Sequence, residues 1–308
     1  MPPTEIYDEL RPWAFTIAYR MLGSVSEAED VTQETFLRMH QSALRGEAIA
    51  SPRAYAATLA TRLAIDQLRS ARVRRERYVG EWLPEPLVTD PTPAEQAETA
   101  DSLSLAFLVL LESLSAQQRA AFLLREVFDY PYPQVAEIVG ADVDGARHLV
   151  ARAREKIRAR RPRYHTTRRQ RDELARRFFA AAQQGDLPAL EQLLAQDVAM
   201  HGDGGGKVPA LPRPVRGRTR VARVLATWLP RLPDLGVRLR PASVNGQPGA
   251  AAYDAQDHLV GIVGLDIADD QVRAIHSVAN PDKLRHLGPV GDSNTVVRAA
   301  RRRSKGMP

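Results

Sequence analysis

Residues 78–98, YVGEWLPEPLVTDPTPAEQAE, limit what this chain of 308 residues can fold into more than any other stretch. Four prolines and five acidic residues crowd into it, with no Lys or Arg to balance them. Proline fixes φ and removes a backbone donor, so neither a helix nor a central strand runs through such a segment. It reads as a linker around which the chain divides, and the length also favours two domains over one. Yet Trp82, Leu83 and Leu87 sit among the prolines. A pure spacer has little use for them, so this linker is expected to dock on a folded surface.

Charge follows the same division. Residues 51–80 carry seven Arg against two acids, residues 81–115 carry seven acids and no Lys or Arg, and residues 116–170 carry twelve basic residues against six acids. Two basic blocks flanking an acidic one point to a polyanion partner more strongly than the overall net charge of +6 does. There is no cysteine, which excludes disulfides, thiolate metal sites and cysteine nucleophiles. No apolar run approaches the about 20 residues that span a bilayer. The start, MPPTEIYDELRPW, has neither a basic segment nor an apolar signal core, so a cytoplasmic location without membrane attachment is expected.

Before the linker the chain is helical. In SEAEDVTQETFLRMHQSAL (26–44), Ser26 is a candidate N-cap, and Ala28, Val31, Thr35, Phe36, Met39 and Ala43 fall on one core face. The opposite face carries Asp30, Gln33, Glu34 and Leu37, an apolar residue set in an acidic stripe. In SPRAYAATLATRLAIDQLRSARVRR (51–75), Ala57, Ala60, Ala64, Leu68 and Ala71 form a small-residue seam, and Arg62 and Arg69 occupy another face. Tyr55, the one aromatic residue in 53–72, is read as a packing residue.

After the linker, residues 103–161 read as two shorter helices and a long one. YPQVAEIVG ends on Gly140, Asp142 can cap the next helix, and that helix runs from about 143 to 160. A short helix, a glycine turn and a capped helix match a helix-turn-helix. Ala146, Leu149, Val150, Ala153 and Ile157 face inward; Asp144, Arg147, His148 and Arg152 face outward near the end that enters a major groove in such motifs. From about residue 172 the texture changes to helices followed by alternating strands, with ADDQ as a hairpin turn, which makes an α+β domain. HGDGGGKVPALPRP (201–214) is not a nucleotide loop: His201 and Val208 stand in the glycine and hydroxyl slots of a Walker A motif, and the prolines forbid its helix.

Taken in order, these motifs resemble a known family. AEDVTQETFLR is similar to the core-binding segment of sigma-70 factors of the extracytoplasmic-function (ECF) type. SLSAQQRAAFLLREVFDYPYPQVAEIVGADVDGARHLVARAREKIR resembles their promoter-reading region 4. YVGEWLPEPL, DGGGK and NPDKL resemble the ECF group that carries a SnoaL-like extension; Glu81 departs from the small residue or proline found there. The resemblance implies a multidomain chain: two all-α sigma domains, the second with the helix-turn-helix, then an α+β SnoaL-like (NTF2-like) cone. It places region 2 at 1–77, an acidic proline-rich linker at 78–102, region 4 at 103–165, the SnoaL-like regulatory domain at 170–290 and a basic disordered tail at 291–308.

It also implies roles. Asp30, Gln33, Glu34 and Leu37 would dock core RNA polymerase through its β′ subunit, with β as the further contact. Arg62, Arg69 and Arg72 would hold the −10 element of promoter DNA. Asp144, Arg147 and His148 would read the −35 element, with Arg152 and Arg154 on phosphates. Trp82, Leu83 and Pro84 would meet Asp203, Gly204, Gly205, Gly206 and Lys207 and the segment Asn280, Pro281, Asp282, Lys283 and Leu284, with Lys207 reaching Glu81 or Glu85. No catalytic residue, cofactor or metal is implied, and the chain would act as a monomer. His201, Tyr253 and His276 are candidates to line a pocket for an unknown small ligand. Two other readings stay open: a SnoaL-like enzyme or ligand sensor fused to a DNA-binding module, which Asp203 and His276 pointing into one closed pocket would favour, and a helix-turn-helix regulator that does not replace sigma.

Overall fold

The computed structural model describes residues 4–76, 78–88, 102–158, 166–292 and 294. The side chain of Arg72, linker residues 89–101 and the tail from 295 lie outside that description. The chain divides into two compact units, one from Met1–Arg77 and Leu108–Arg161, the other from Tyr78–Phe107 and Pro162–Pro308. The described linker residues thus group with the C-terminal domain.

The first unit starts with α1 (Thr4–Leu22), α2 (Val25–Leu44) and α3 (Pro52–Glu76). Ser24, not Ser26, caps α2 by accepting from Glu27 N at 3.2 Å, because Gly23 at φ 67° turns the chain one residue after α1 ends. Ala28, Val31, Thr35 and Met39 are buried as the 3.6-residue spacing requires. The buried hydroxyls of Thr32 and Thr35 bond back to the carbonyls of Ala28 and Val31, which removes the cost of hiding them. On α3, Ala57, Ala60, Ala64 and Leu68 are buried in the close seam with its neighbours. Tyr55 packs beside Leu10, Met39 and Ala56 and bonds to Ser42 Oγ at 2.9 Å, as a packing residue should.

Among the described residues from 105 onward in this half, four helices stand where three were expected: α4 (Leu105–Leu111), α5 (Ala116–Glu126), α6 (Tyr132–Val139) and α7 (Val143–Arg158). The extra break comes at Ser115, whose capping box with Gln118 starts a new helix where a single run was expected. Gly140 ends α6 at φ 70°, and Asp142 Oδ1 accepts from Gly145 N at 2.6 Å to open α7. Ala146, Val150, Ala153 and Ile157 are buried and Leu149 partly so.

This half packs on the first three helices. Arg119, buried on α5, donates to the carbonyl of Met21 at the end of α1 (2.6 Å) and pairs with Glu112 (2.9 Å). Trp13 meets Phe128 edge to face with ring centres 4.9 Å apart, and Arg53 lies over Trp13. Arg62 on α3 donates to the carbonyls of Glu137 and Ile138 at the end of α6.

The second unit is a helical layer on a six-stranded sheet. Its helices are α8 (Arg168–Gln184), α9 (Leu187–Leu193) and α10 (Arg218–Trp228). Its strands are β1 (Leu194–Asp203), β2 (Val215–Arg216), β3 (Arg238–Val244), β4 (Gln247–Tyr253), β5 (Leu259–Ala268) and β6 (Gln271–Val278), in the order β2-β1-β6-β5-β4-β3. Only β1 and β6 run parallel among the described pairs. The turns at Asn245-Gly246 and Asp269-Asp270 have positive φ at both central residues, the geometry that joins right-twisted strands in two residues. Phe178, Leu190, Val221, Leu265 and Ile275 belong to the core between helices and sheet.

Removal of the Arg119 guanidinium leaves the Met21 carbonyl buried without its donor. Arg119→Met should therefore cost about 2–3 kcal/mol in urea unfolding of the first unit. A cost near that of an exposed surface change would contradict the role given to this contact.

Candidate functional site

The residues expected to act fall into three sets, and the structure presents them differently. On α2, Leu37 is 51% exposed beside exposed Asp30 and Gln33, while Glu34 pairs with Arg38 at 2.7 Å. The acidic stripe around an apolar centre is thus present on the surface of the helix opposite its buried face.

On α7, Asp144, Arg147, His148, Arg152 and Arg154 are exposed. Arg147 pairs with Asp144 one turn before it (3.0 Å) and lies near the Tyr132 ring. Arg154 pairs with Glu126 on α5 at 2.7 Å, which holds its guanidinium above the ordinary range. Arg69 has a long contact to Asp66. Arg62 is exposed, and its guanidinium also donates to the two carbonyls at the end of α6.

The third set is the linker clasp, and here the structure is most specific. Asp203 ends β1 with no solvent exposure. Its Oδ1 accepts from the Tyr78 hydroxyl (2.5 Å) and Gly205 N (2.9 Å); its Oδ2 accepts from Leu83 N (2.9 Å) and Lys283 Nζ (2.7 Å). Lys283, also buried, donates to the Leu83 carbonyl and lies 4.1 Å from the centre of the Trp82 ring and 4.9 Å from that of Tyr78. A cation held by a carboxylate, a carbonyl and two aromatic faces replaces the water it has lost. Asn280 Nδ2 donates to the Tyr78 hydroxyl at 2.7 Å, and the backbone of Ala279 and Asn280 donates to the Asp203 carbonyl. Burial and the Asp203 carboxylate push the Tyr78 phenol well above its usual value, so it stays a donor.

The glycines of DGGGK serve this clasp in three ways. A Cβ on Gly204 would meet the Val208 carbonyl at 2.2 Å, and one on Gly205 (φ +60°) the Asn280 amide at 2.3 Å. On Gly206 (φ +69°) it would meet Val79 of the linker at 2.8 Å. Lys207 does not reach Glu81 or Glu85; it pairs with Asp282, which the Pro281–Lys283 turn presents beside it. Glu81 is taken by His201, Nδ1 to Oε1 at 2.7 Å.

Downstream, Leu83 is fully buried, His286 Nε2 donates to the Pro86 carbonyl (2.8 Å), and Asn245 exchanges bonds with Leu87. Asn245 Nδ2 also donates to the Leu103 carbonyl at 2.9 Å, so one side chain bonds the chain both within the linker at Leu87 and just after it at Leu103. Tyr78, Asn245 and His286 were not foreseen. Asn245 bore only the signature of a hairpin turn, which says nothing of what its amide reaches.

His201, Tyr253 and His276 do not line one pocket. His201 and His276 are paired across β1 and β6 and stack with ring centres 5.1 Å apart. Ile275 points into the helix-side core, so His276 faces the other way, while Tyr253 borders a cleft beside α8. The space next to His276, shared with Ser104, Leu105 and Asp266, holds only about 10 Å³. Desolvation, with the nearby His201, lowers His276 to about 3. Asp203 is committed to the clasp, so it and His276 do not converge on a ligand. Among the described residues no cluster of three or more His, Cys, Asp or Glu could hold a metal ion, and no helix is long and apolar enough to cross a membrane.

Comparison with known proteins agrees with this layout. A sigma-70 region 2 model matches residues 6–74, a sigma-70 region 4 model residues 104–157, and a SnoaL-like domain model residues 175–279. The chain is 37% identical over 298 residues to the ECF RNA polymerase sigma factor SigJ of Mycobacterium tuberculosis, covering 90% of this chain and 92% of the relative. It is 31% identical over 281 residues to the probable ECF sigma factor SigI of the same species, covering 90% and 93%. The crystal structure of Mycobacterium tuberculosis SigJ superposes with a TM-score of 0.73 at 34% identity, over 92% of this chain and 98% of that one. The chain therefore belongs to the ECF family of RNA polymerase sigma factors, in the group with a C-terminal SnoaL-like domain, and is a transcription initiation factor rather than an enzyme.

Proposed function

We propose that this sigma factor engages core polymerase through the Leu37 face of α2, reads promoters through α7, and is restrained in cis by the C-terminal domain's hold on the linker. The observation that carries the regulatory part is Asp203, a buried carboxylate whose four side-chain bonds include two to the linker. A domain that merely accompanied the sigma regions would have no need to build a buried ion pair around the segment between them.

In this reading Asp30, Gln33, Glu34 and Leu37 dock the β′ subunit, with β as the further contact. Asp144, Arg147 and His148 meet base edges, and Arg152 and Arg154 meet phosphates. Arg62, Arg69 and Arg72 lie against the −10 element. The factor works in the cytoplasm as a single chain.

Leu37→Asp should abolish binding to core polymerase while changing stability by no more than about 0.5 kcal/mol, since the site is exposed; retained affinity would remove α2 as the docking face. Arg147→Ala should cost about 1–3 kcal/mol on the preferred promoter and relax one base position, whereas Arg154→Ala should weaken all sequences alike and lower the salt slope by about 1. Indistinguishable profiles for the two would show that α7 does not present them as described.

Tyr78→Phe and Gly206→Val should both speed amide exchange across 78–88 and alter transcription from a fixed promoter, with Gly206→Val leaving Asp203 itself untouched. Equal exchange in all three proteins would end the clasp model. His276 is neutral when folded and has an ordinary value of 6.5 when unfolded, so the unfolded chain binds the extra proton. The stability His276 contributes is present above about pH 6.5 and is lost as pH falls towards 3; His276→Gln should flatten the decline of the C-terminal unit over that window.

A further inference from the structure

We propose that the cleft between α8 and the β3–β4 edge of the sheet is a binding site for a small amphipathic carboxylate, a molecule with one anionic end and an apolar body. The cleft measures about 750 Å³, within the roughly 300–1,000 Å³ of ordinary ligand sites. Neither stacked histidine, nor Asp203 nor Lys283, lines it.

Its lining has two characters. Phe179 and Ala175 from α8, with Pro241 and Tyr253 from the strands, supply an apolar floor. Around it stand four arginines, of which Arg168 pairs with Asp172, Arg176 with Glu173 and Arg240 with Asp257, while Arg171 is held by the neutral Gln247. A wholly polar anion gains nothing from the floor, and a neutral hydrophobe gains nothing from the arginines. A ligand that uses both has a charged end and an apolar body.

The charged groups best placed for such a ligand are held in advance. Gln247 is buried and its Oε1 accepts from Arg171 Nη1 at 3.0 Å, which fixes the guanidinium at the cleft wall. Arg240 lies over the Tyr253 ring, 4.6 Å from its centre, and is steadied by Asp257 at 2.8 Å. A planar guanidinium oriented before binding loses less entropy on pairing with a carboxylate.

The same cleft touches the linker. Val88 forms part of its wall and bridges to Val244 at the end of β3, next to the Leu87–Asn245 bonds. A bound ligand therefore adds contacts to the last described residue before 89 and tightens the clasp. This coupling rests on the regulatory reading above, whereas the binding itself is measured without polymerase, so the two can fail separately.

The test is calorimetric titration of the full chain with 2-naphthoate, with 2-naphthamide as the neutral control and inorganic sulfate as the anion without a body. One-to-one binding of 2-naphthoate is expected, at least tenfold weaker for the amide and for Arg240→Ala and Arg171→Gln, and absent for sulfate. Ala180→Trp, an exposed α8 position in the lining, should fill the cleft and abolish binding even if Arg171→Gln fails to fold. Equal binding of acid and amide, unaltered binding in Ala180→Trp, or no binding at millimolar naphthoate would overturn the site. Slower amide exchange at 85–88 on binding is expected, and unchanged exchange in the bound protein would overturn the coupling.

Discussion

The Asp203–Lys283 pair is the interaction on which the second unit's arrangement turns. Both groups are out of water, and burying either alone would cost several kcal/mol. The pair is tolerable because every approach to it is occupied by a partner: the Tyr78 hydroxyl, two backbone amides, the Leu83 carbonyl and two aromatic rings. Several of these partners belong to the linker. Domain and linker are therefore one polar network, and neither satisfies its groups without the other.

That dependence explains the composition of the linker. Over 78–87 Pro84 and Pro86 keep it from coiling as a helix, while Leu83 fills a wholly buried site worth about 1.5–3 kcal/mol. Glu81, out of pattern for the family, finds its use in the bond to His201. The first unit shows the opposite design. Its halves are joined through guanidinium groups, Arg119 to the Met21 carbonyl and to Glu112, and Arg62 to two carbonyls at the end of α6, with the polar faces of α2 and α7 left on the surface.

Much of this was legible in the sequence because it depends on local rules. Gly140 and Asp142 announce the turn between α6 and α7, the apolar spacing of α2 sets its buried face, and ADDQ gives its hairpin. The apolar residues of the linker signalled a docking surface. What escaped depends on long-range register. Lys207 was expected to meet Glu81 or Glu85, but Pro281–Lys283 brings Asp282 to it instead. His201 and His276 are 75 positions apart and become neighbours only because β1 and β6 run parallel, and the sequence carries no sign of that pairing. Tyr253 reads like them as a strand aromatic, yet it borders a different space.

Asn245 accepts from Leu87 and donates to Leu103, so the chain between these residues closes into a loop at a single amide. The covalent path from region 2 to region 4 passes through this loop, but the physical anchorage does not. A chain cut anywhere from 89 to 101 would keep the hydrogen bonds of this one domain to Leu87 on one side of the cut and to Leu103 on the other. The two pieces would travel together through purification as a split protein.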